Sequence, residues 1–271
     1  MTEPGFPHDA PHPAGKTSGA DTLSWLRPNL VASWREITTV TVIFVGYFAF
    51  MSTRSALLGS SSRYIVKLFS DYRLFMNCAI ESVFLALFLA FLHYRGWEKS
   101  DFKIKPGWWS STQGALLFLP TLMGNACMVL GIFALIFSLQ TKYQHFLPFL
   151  MANSPHTQPV GSNLSWSVLL LSLTINAFFE ELICTGYLFN QFASKHGPLF
   201  ALLLIVLLRM SCHTYQGPVH MLCIGVVFLI YGGWYWYTRN LWTLIFAHAF
   251  ADIISLGTLK VLLDHFSSLA H

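Results

Sequence analysis

Apolar residues run in seven long stretches, at 37–58, 74–92, 114–139, 165–189, 198–212, 221–237 and 241–263. Most are long enough to cross about 30 Å of hydrocarbon as a helix. The fifth is short, and Arg209 and His213 are expected to extend it by facing protein instead of lipid. The two-residue alternation of a membrane β-strand is absent. Lipid offers no partner for open backbone groups, so the spans must be helices. The pattern predicts an all-α polytopic membrane helix bundle with seven to eight transmembrane helices.

The connections are polar. Residues 60–73 hold a short amphipathic stretch at 64–69 that could lie on the membrane surface. Residues 94–109 form a charged loop with Glu98, Lys99, Asp101, Lys103 and Lys105, and 140–163 is the longest loop. Trp108, Trp109, Trp166, Trp234, Trp236 and Trp242 stand near segment ends, as interfacial anchors do. Residues 1–36, rich in Pro and Gly, read as a flexible polar N-terminal tail without the apolar core of a cleaved signal peptide. The first apolar segment would then be an uncleaved anchor, and 37–271 one membrane domain. With the N-terminus inside, nine Lys/Arg fall on the cytoplasmic side and six on the other. No internal repeat is visible, which disfavours a secondary transporter.

Composition agrees. Of 271 residues, 54% are hydrophobic and only 10% charged, against about 25% charged in soluble domains. That excludes a disordered chain and argues against a soluble enzyme. The net charge of +4 is spread thinly, with no basic block to follow a phosphate backbone, so nucleic acid is not an expected partner. Cys78, Cys127, Cys184, Cys212 and Cys223 lie inside apolar runs without a CxxC pair, and read as small buried hydrophobes.

Ionisable groups inside a membrane are costly and need a reason. The candidates are Glu81, Glu180, Glu181, Arg209, His213, His248 and Asp252, of which all but Glu81 fall within 73 residues. Glu81 stands by itself in the second segment. Arg209 and His213 are four apart and share a helix face, as do His248 and Asp252. Glu180 and Glu181 project about 100° apart. Segments four and five are joined by a turn expected near Lys195. Glu181 lies 14 residues before it and Arg209 14 after it, so the two should meet at one depth. Counted from a turn near Arg239, His248 and Asp252 reach a similar layer. A carboxyl group taken out of water can serve as a base near neutral pH. Two imidazoles and a carboxylate could position a water, hold a metal or stabilise an oxyanion. Three readings remain open on these residues: catalysis, an ion or proton pathway, and a structural network.

Three stretches resemble the CPBP family of intramembrane proteases, which includes the type II CAAX prenyl endopeptidases and bacterial bacteriocin-processing proteins. The family pattern is Glu-Glu-x-x-x-Arg, Phe-x-x-x-His and His-x-x-x-Asn/Asp, in that order. Glu180-Glu181 followed by Gly186-Tyr187-Leu188 matches the first, His213 the second, and His248 with Asp252, preceded by Asn240-Leu241-Trp242, the third. The resemblance covers about 165–256, the motif-bearing core. It implies an endopeptidase in which Glu180 activates water with the aid of His213. His248 and Asp252 would bind the water or the oxyanion, and Glu181 would be the supporting carboxylate. It also implies a peptide or protein substrate, lipidated in some members, and a multi-pass protein of a bacterial cytoplasmic (inner) membrane. If one divalent metal such as zinc is bound, His213, His248 and Glu180 are its expected ligands. The alternatives are an inactive pseudoprotease or scaffold, and a proton-coupled transporter. The chain departs from the pattern twice: Thr185 stands at the family's Arg, and Arg209 at its Phe. The depth argument makes Arg209 a charge partner that restores the lost guanidinium from the neighbouring helix, since an unpaired buried charge is expensive.

Overall fold

The computed structural model describes residues 26–57, 71–140 and 165–269. The expected surface stretch at 64–69, nearly all of the longest loop and residues 1–25 of the expected tail lie outside the described residues. Seven helices follow in order: α1 (Trp34–Leu57), α2 (Asp71–Tyr94), α3 (Trp108–Leu135), α4 (Trp166–His196), α5 (Pro198–Cys212), α6 (Pro218–Thr238) and α7 (Leu241–Leu269). No strand occurs among the described residues. Six of the helices are long and apolar enough to cross a membrane, and α5 is the short exception. The all-helical membrane bundle expected from the pattern is what the chain forms.

Helix ends follow local chemistry. The Ser33 hydroxyl caps α1 by accepting from the Glu36 amide at 3.2 Å. Gly197 and Gly217 take positive φ values of 86° and 87°, and each is followed by a proline that opens the next helix. Arg239 closes α6 in the left-handed conformation, and its Nη1 donates to Asn190 Oδ1 at 2.8 Å.

Several boundaries differ from the pattern. Residues 26–36, read as part of the tail, pack on the bundle: Leu26, Leu30 and Ala32 are buried. Gln191 on α4 accepts from the Ala32 amide at 2.7 Å and donates to the Leu30 carbonyl at 2.8 Å. Arg27 grips Asp101 with two donors, at 2.8 and 2.6 Å. The tail looked polar because Pro, Gly, Ser and charged residues interrupt its short apolar runs. α3 begins six residues before its apolar run, because Ser110 and Ser111 accept hydrogen bonds from Asn240 and Trp242 at the start of α7. α4 continues past residue 189 to His196, since Asn190 and Gln191 find partners within the protein. Cys127 is exposed, while Cys78 and Cys184 are buried as expected.

These contacts put one end of the bundle together. Glu36 at the start of α1 accepts from Arg95 after α2, at 3.0 Å, and from the Tyr187 hydroxyl near the end of α4, at 2.7 Å. α3 and α7 run in the same direction and approach closely at Gly114. A Cβ there would stand 2.6 Å from the Thr243 carbonyl oxygen and 3.1 Å from the Ala247 amide. This contact fixes α7, and with it His248.

Candidate active site

The site is assembled from α4, α5 and α7. At Glu181 the α-helical winding of α4 changes to the wider π form, which continues to Phe189. Such segments recur at functional sites. Glu181 is fully buried. Its Oε2 accepts from the Thr185 hydroxyl at 2.8 Å, and its Oε1 lies 3.0 Å from both Arg209 Nη2 and His248 Nδ1. Glu181 is thus held on three sides.

Arg209 comes up from α5. Nη1 donates to Glu180 Oε2 at 3.0 Å, while Nη2 donates to the Glu180 carbonyl at 2.8 Å and faces Glu181. The two carboxylates project in different directions, yet the planar fork of a guanidinium spans them. The ring of Phe228, on α6, lies 3.8 Å from the guanidinium carbon, a cation–π contact that seals the pair from below. The expected charge partnership is therefore present.

The depth count succeeded for a reason the sequence did not disclose. The turn is at Gly197, not Lys195. Glu181 is then farther from the turn in residue number than Arg209. The π segment between them has more residues per turn and advances less per residue, so the levels still match.

Glu180 differs from its neighbour. Its side chain is 20% exposed. One oxygen is engaged by Arg209, and the other has only the amide of Asn176, at 3.5 Å. That is a weak contact by hydrogen-bond standards, so this oxygen is available to another donor. His248 is bonded through Nδ1 to Glu181, and its Nε2 lies 3.5 Å from Asp252 Oδ2. This second distance is long for a direct hydrogen bond.

His213 ends α5. Its Nδ1 donates to the Arg209 carbonyl at 2.9 Å, so the other ring nitrogen is the acceptor in the neutral imidazole. It lies near enough to Asp252 for their charges to interact, but it makes no bond to either glutamate. The turn beyond it, Thr214–Gln216, is pinned by Ser52 of α1: Ser52 Oγ is 2.9 Å from the Thr214 hydroxyl and accepts from the Tyr215 amide at 3.0 Å.

Glu180, Glu181, Arg209, His248 and Asp252 thus form one continuous polar chain across three helices, with His213 beside it. Sequence reasoning undervalued two residues. Asn176, absent from the candidates above, reaches Glu180. Glu81, read as isolated, lies close enough to Glu180, His248 and Asp252 to interact with them electrostatically. The signal for both was available: each is polar inside an apolar helix.

The donor geometry does not suit a metal. Among the described residues no three His, Cys, Asp or Glu side chains are arranged to hold one. Both nitrogens of His248 face carboxylates, and Glu180 is paired with a cation.

Residues 162–254 match the family described as Type II CAAX prenyl endopeptidase Rce1-like. No curated protein and no solved structure matches. The matched segment contains every residue of the polar chain, which agrees with the resemblance carried by the three motifs. Over 162–254 the chain is thus similar to the type II CAAX prenyl endopeptidases.

Proposed function

We propose that this chain is an intramembrane endopeptidase in which Glu180 activates the attacking water. The observation that carries the reading is the division of labour between the paired carboxylates. Glu181 is fully buried and bonded on three sides, whereas Glu180 keeps one oxygen open in a partly accessible position. A general base needs an open oxygen within hydrogen-bond reach of a water.

In this reading Glu180 takes a proton from water as the oxygen attacks the peptide carbonyl carbon. His213, whose Nδ1 is tied to the Arg209 carbonyl, offers its other nitrogen to the same water. His248 Nε2, 3.5 Å from Asp252 Oδ2, donates to the developing oxyanion. Glu181 and Arg209 are positioning groups: Glu181 holds His248 in one orientation, and Arg209 fixes one oxygen of Glu180.

The substrate is a peptide or protein reached from the bilayer, and a lipidated chain fits a site walled by apolar helices. A bacterial cytoplasmic membrane is the expected setting. The test is purified protein against a peptide library, with and without chelator, beside Glu180→Ala. Cleavage by the wild type and none by the variant supports the reading. Equal behaviour of the two proteins removes it and leaves a non-catalytic scaffold. Tests with prenylated and unmodified forms of a cleaved peptide decide whether the lipid is required.

A further inference from the structure

Glu81 has no part in the scheme above, yet its surroundings suit chemistry better than structure. α2 and α4 run side by side in the same direction. Leu74 packs with Leu169 and Leu173, and higher up the ring of Phe84 lies 6.4 Å from that of Phe179. Seven residues make two helical turns and return to nearly the same face. Glu81 is seven residues beyond Leu74, and Asn176 seven beyond Leu169. The register therefore sets Glu81 and Asn176 at one level along the seam, one turn before Glu180.

Each carries an oxygen sealed from solvent with no hydrogen-bond partner: Glu81 Oε2 and Asn176 Oδ1. Orphaned buried polar atoms are rare and mark strain, catalysis or a missing guest. Among the described residues the guanidinium of this layer, Arg209, is committed to Glu180 and Glu181. An ionised Glu81 would be an uncompensated charge among carboxylates. A neutral one has a proton to give, within the electrostatic reach of Glu180, His248 and Asp252.

We propose that Glu81 is a second catalytic acid of this site, the group that protonates the departing amine. The inference rests on the peptidase reading above. Water adds to the carbonyl carbon and loses a proton to Glu180. As the tetrahedral intermediate collapses, the C–N bond breaks and the nitrogen takes the Glu81 proton. The proton on Glu180 then passes to Glu81, restoring both groups, and the sum is peptide plus water giving acid plus amine. Asn176, whose Nδ2 lies 3.5 Å from Glu180 Oε1, stands beside the base.

The test uses leaving groups. A peptide must have its nitrogen protonated to depart, whereas an activated phenyl ester of the same acyl sequence needs no such help. Full-length protein and Glu81→Gln are compared on both substrates. The expected result is a fall of ~100-fold in kcat/KM on the peptide, the scale of general acid catalysis, and a change within about threefold on the ester. Glu81→Asp, which keeps the acid, should recover part of the peptide activity; it serves as the test variant if Glu81→Gln does not fold, with a steeper leaving-group dependence expected. Equal losses on peptide and ester, or no loss on the peptide, would overturn the proposal. Failure of the peptidase reading looks different: Glu180→Ala would then match the wild type on both substrates.

Discussion

Arg209 of α5 holds both members of the carboxylate pair on α4, lying 3.0 Å from Glu180 Oε2 and 3.0 Å from Glu181 Oε1. The arrangement supplies from one helix the charge that the family pattern places on another, where this chain has Thr185. Removing the guanidinium leaves Glu181 buried without a cation. Arg209→Phe is expected to cost about 3–5 kcal/mol, read as a lower thermal midpoint in detergent. Adding Thr185→Arg to that variant should recover stability and activity. A double variant no better than the single would show that the two positions are not interchangeable.

Glu180 and Glu181 should separate experimentally. Glu180→Gln is expected to lower hydrolysis about 10²- to 10⁴-fold while leaving the thermal midpoint close to that of the wild type. Glu181→Gln weakens the bonds to Arg209 and His248, and should lower the midpoint as well. Activity and unfolding measured on the same preparations check both.

Chelation is expected to change nothing. The imidazole of His248 already faces carboxylates at both nitrogens, so activity should survive prolonged dialysis against EDTA. A loss restored by added zinc would show that the donors rearrange around a metal.

Gly114 lets α3 and α7 touch. Because a Cβ would meet the Thr243 carbonyl oxygen at 2.6 Å, a backbone atom that cannot swing aside, Gly114→Val must push the helices apart. The expected loss is about 1–3 kcal/mol. Activity should fall too, since α7 carries His248. An unfolding curve and a rate on the same variant test this.

Gln191 ties the segment before α1 to α4. Gln191→Leu leaves the Ala32 amide and the Leu30 carbonyl unpaired in a buried place, at about 1–3 kcal/mol. Limited proteolysis should then cut within residues 26–33, where the wild type resists.

Much of the site was legible before any coordinates. Spacing four apart put His248 and Asp252 on one face, and residue counts from the turn paired Arg209 with Glu181. The first rests on regular helix geometry; the second held because the π segment of α4 offset the displacement of the turn to Gly197. The surroundings of Glu81 were not legible: a lone carboxylate in an apolar helix has no periodic partner in its own segment, and its charged neighbours come from α4 and α7. Residues 26–36 escaped for a similar reason, because Leu30 and Ala32 are held by one side chain 159 or more residues away.

The amino-acid order alone determined that the chain folds as apolar helices and that three of them carry ionisable groups, because lipid permits few backbone solutions and penalises every charge. Only the tertiary structure decided which oxygen of which glutamate stays open. That depends on the direction of individual hydrogen bonds and on a local widening of α4, which no spacing rule encodes.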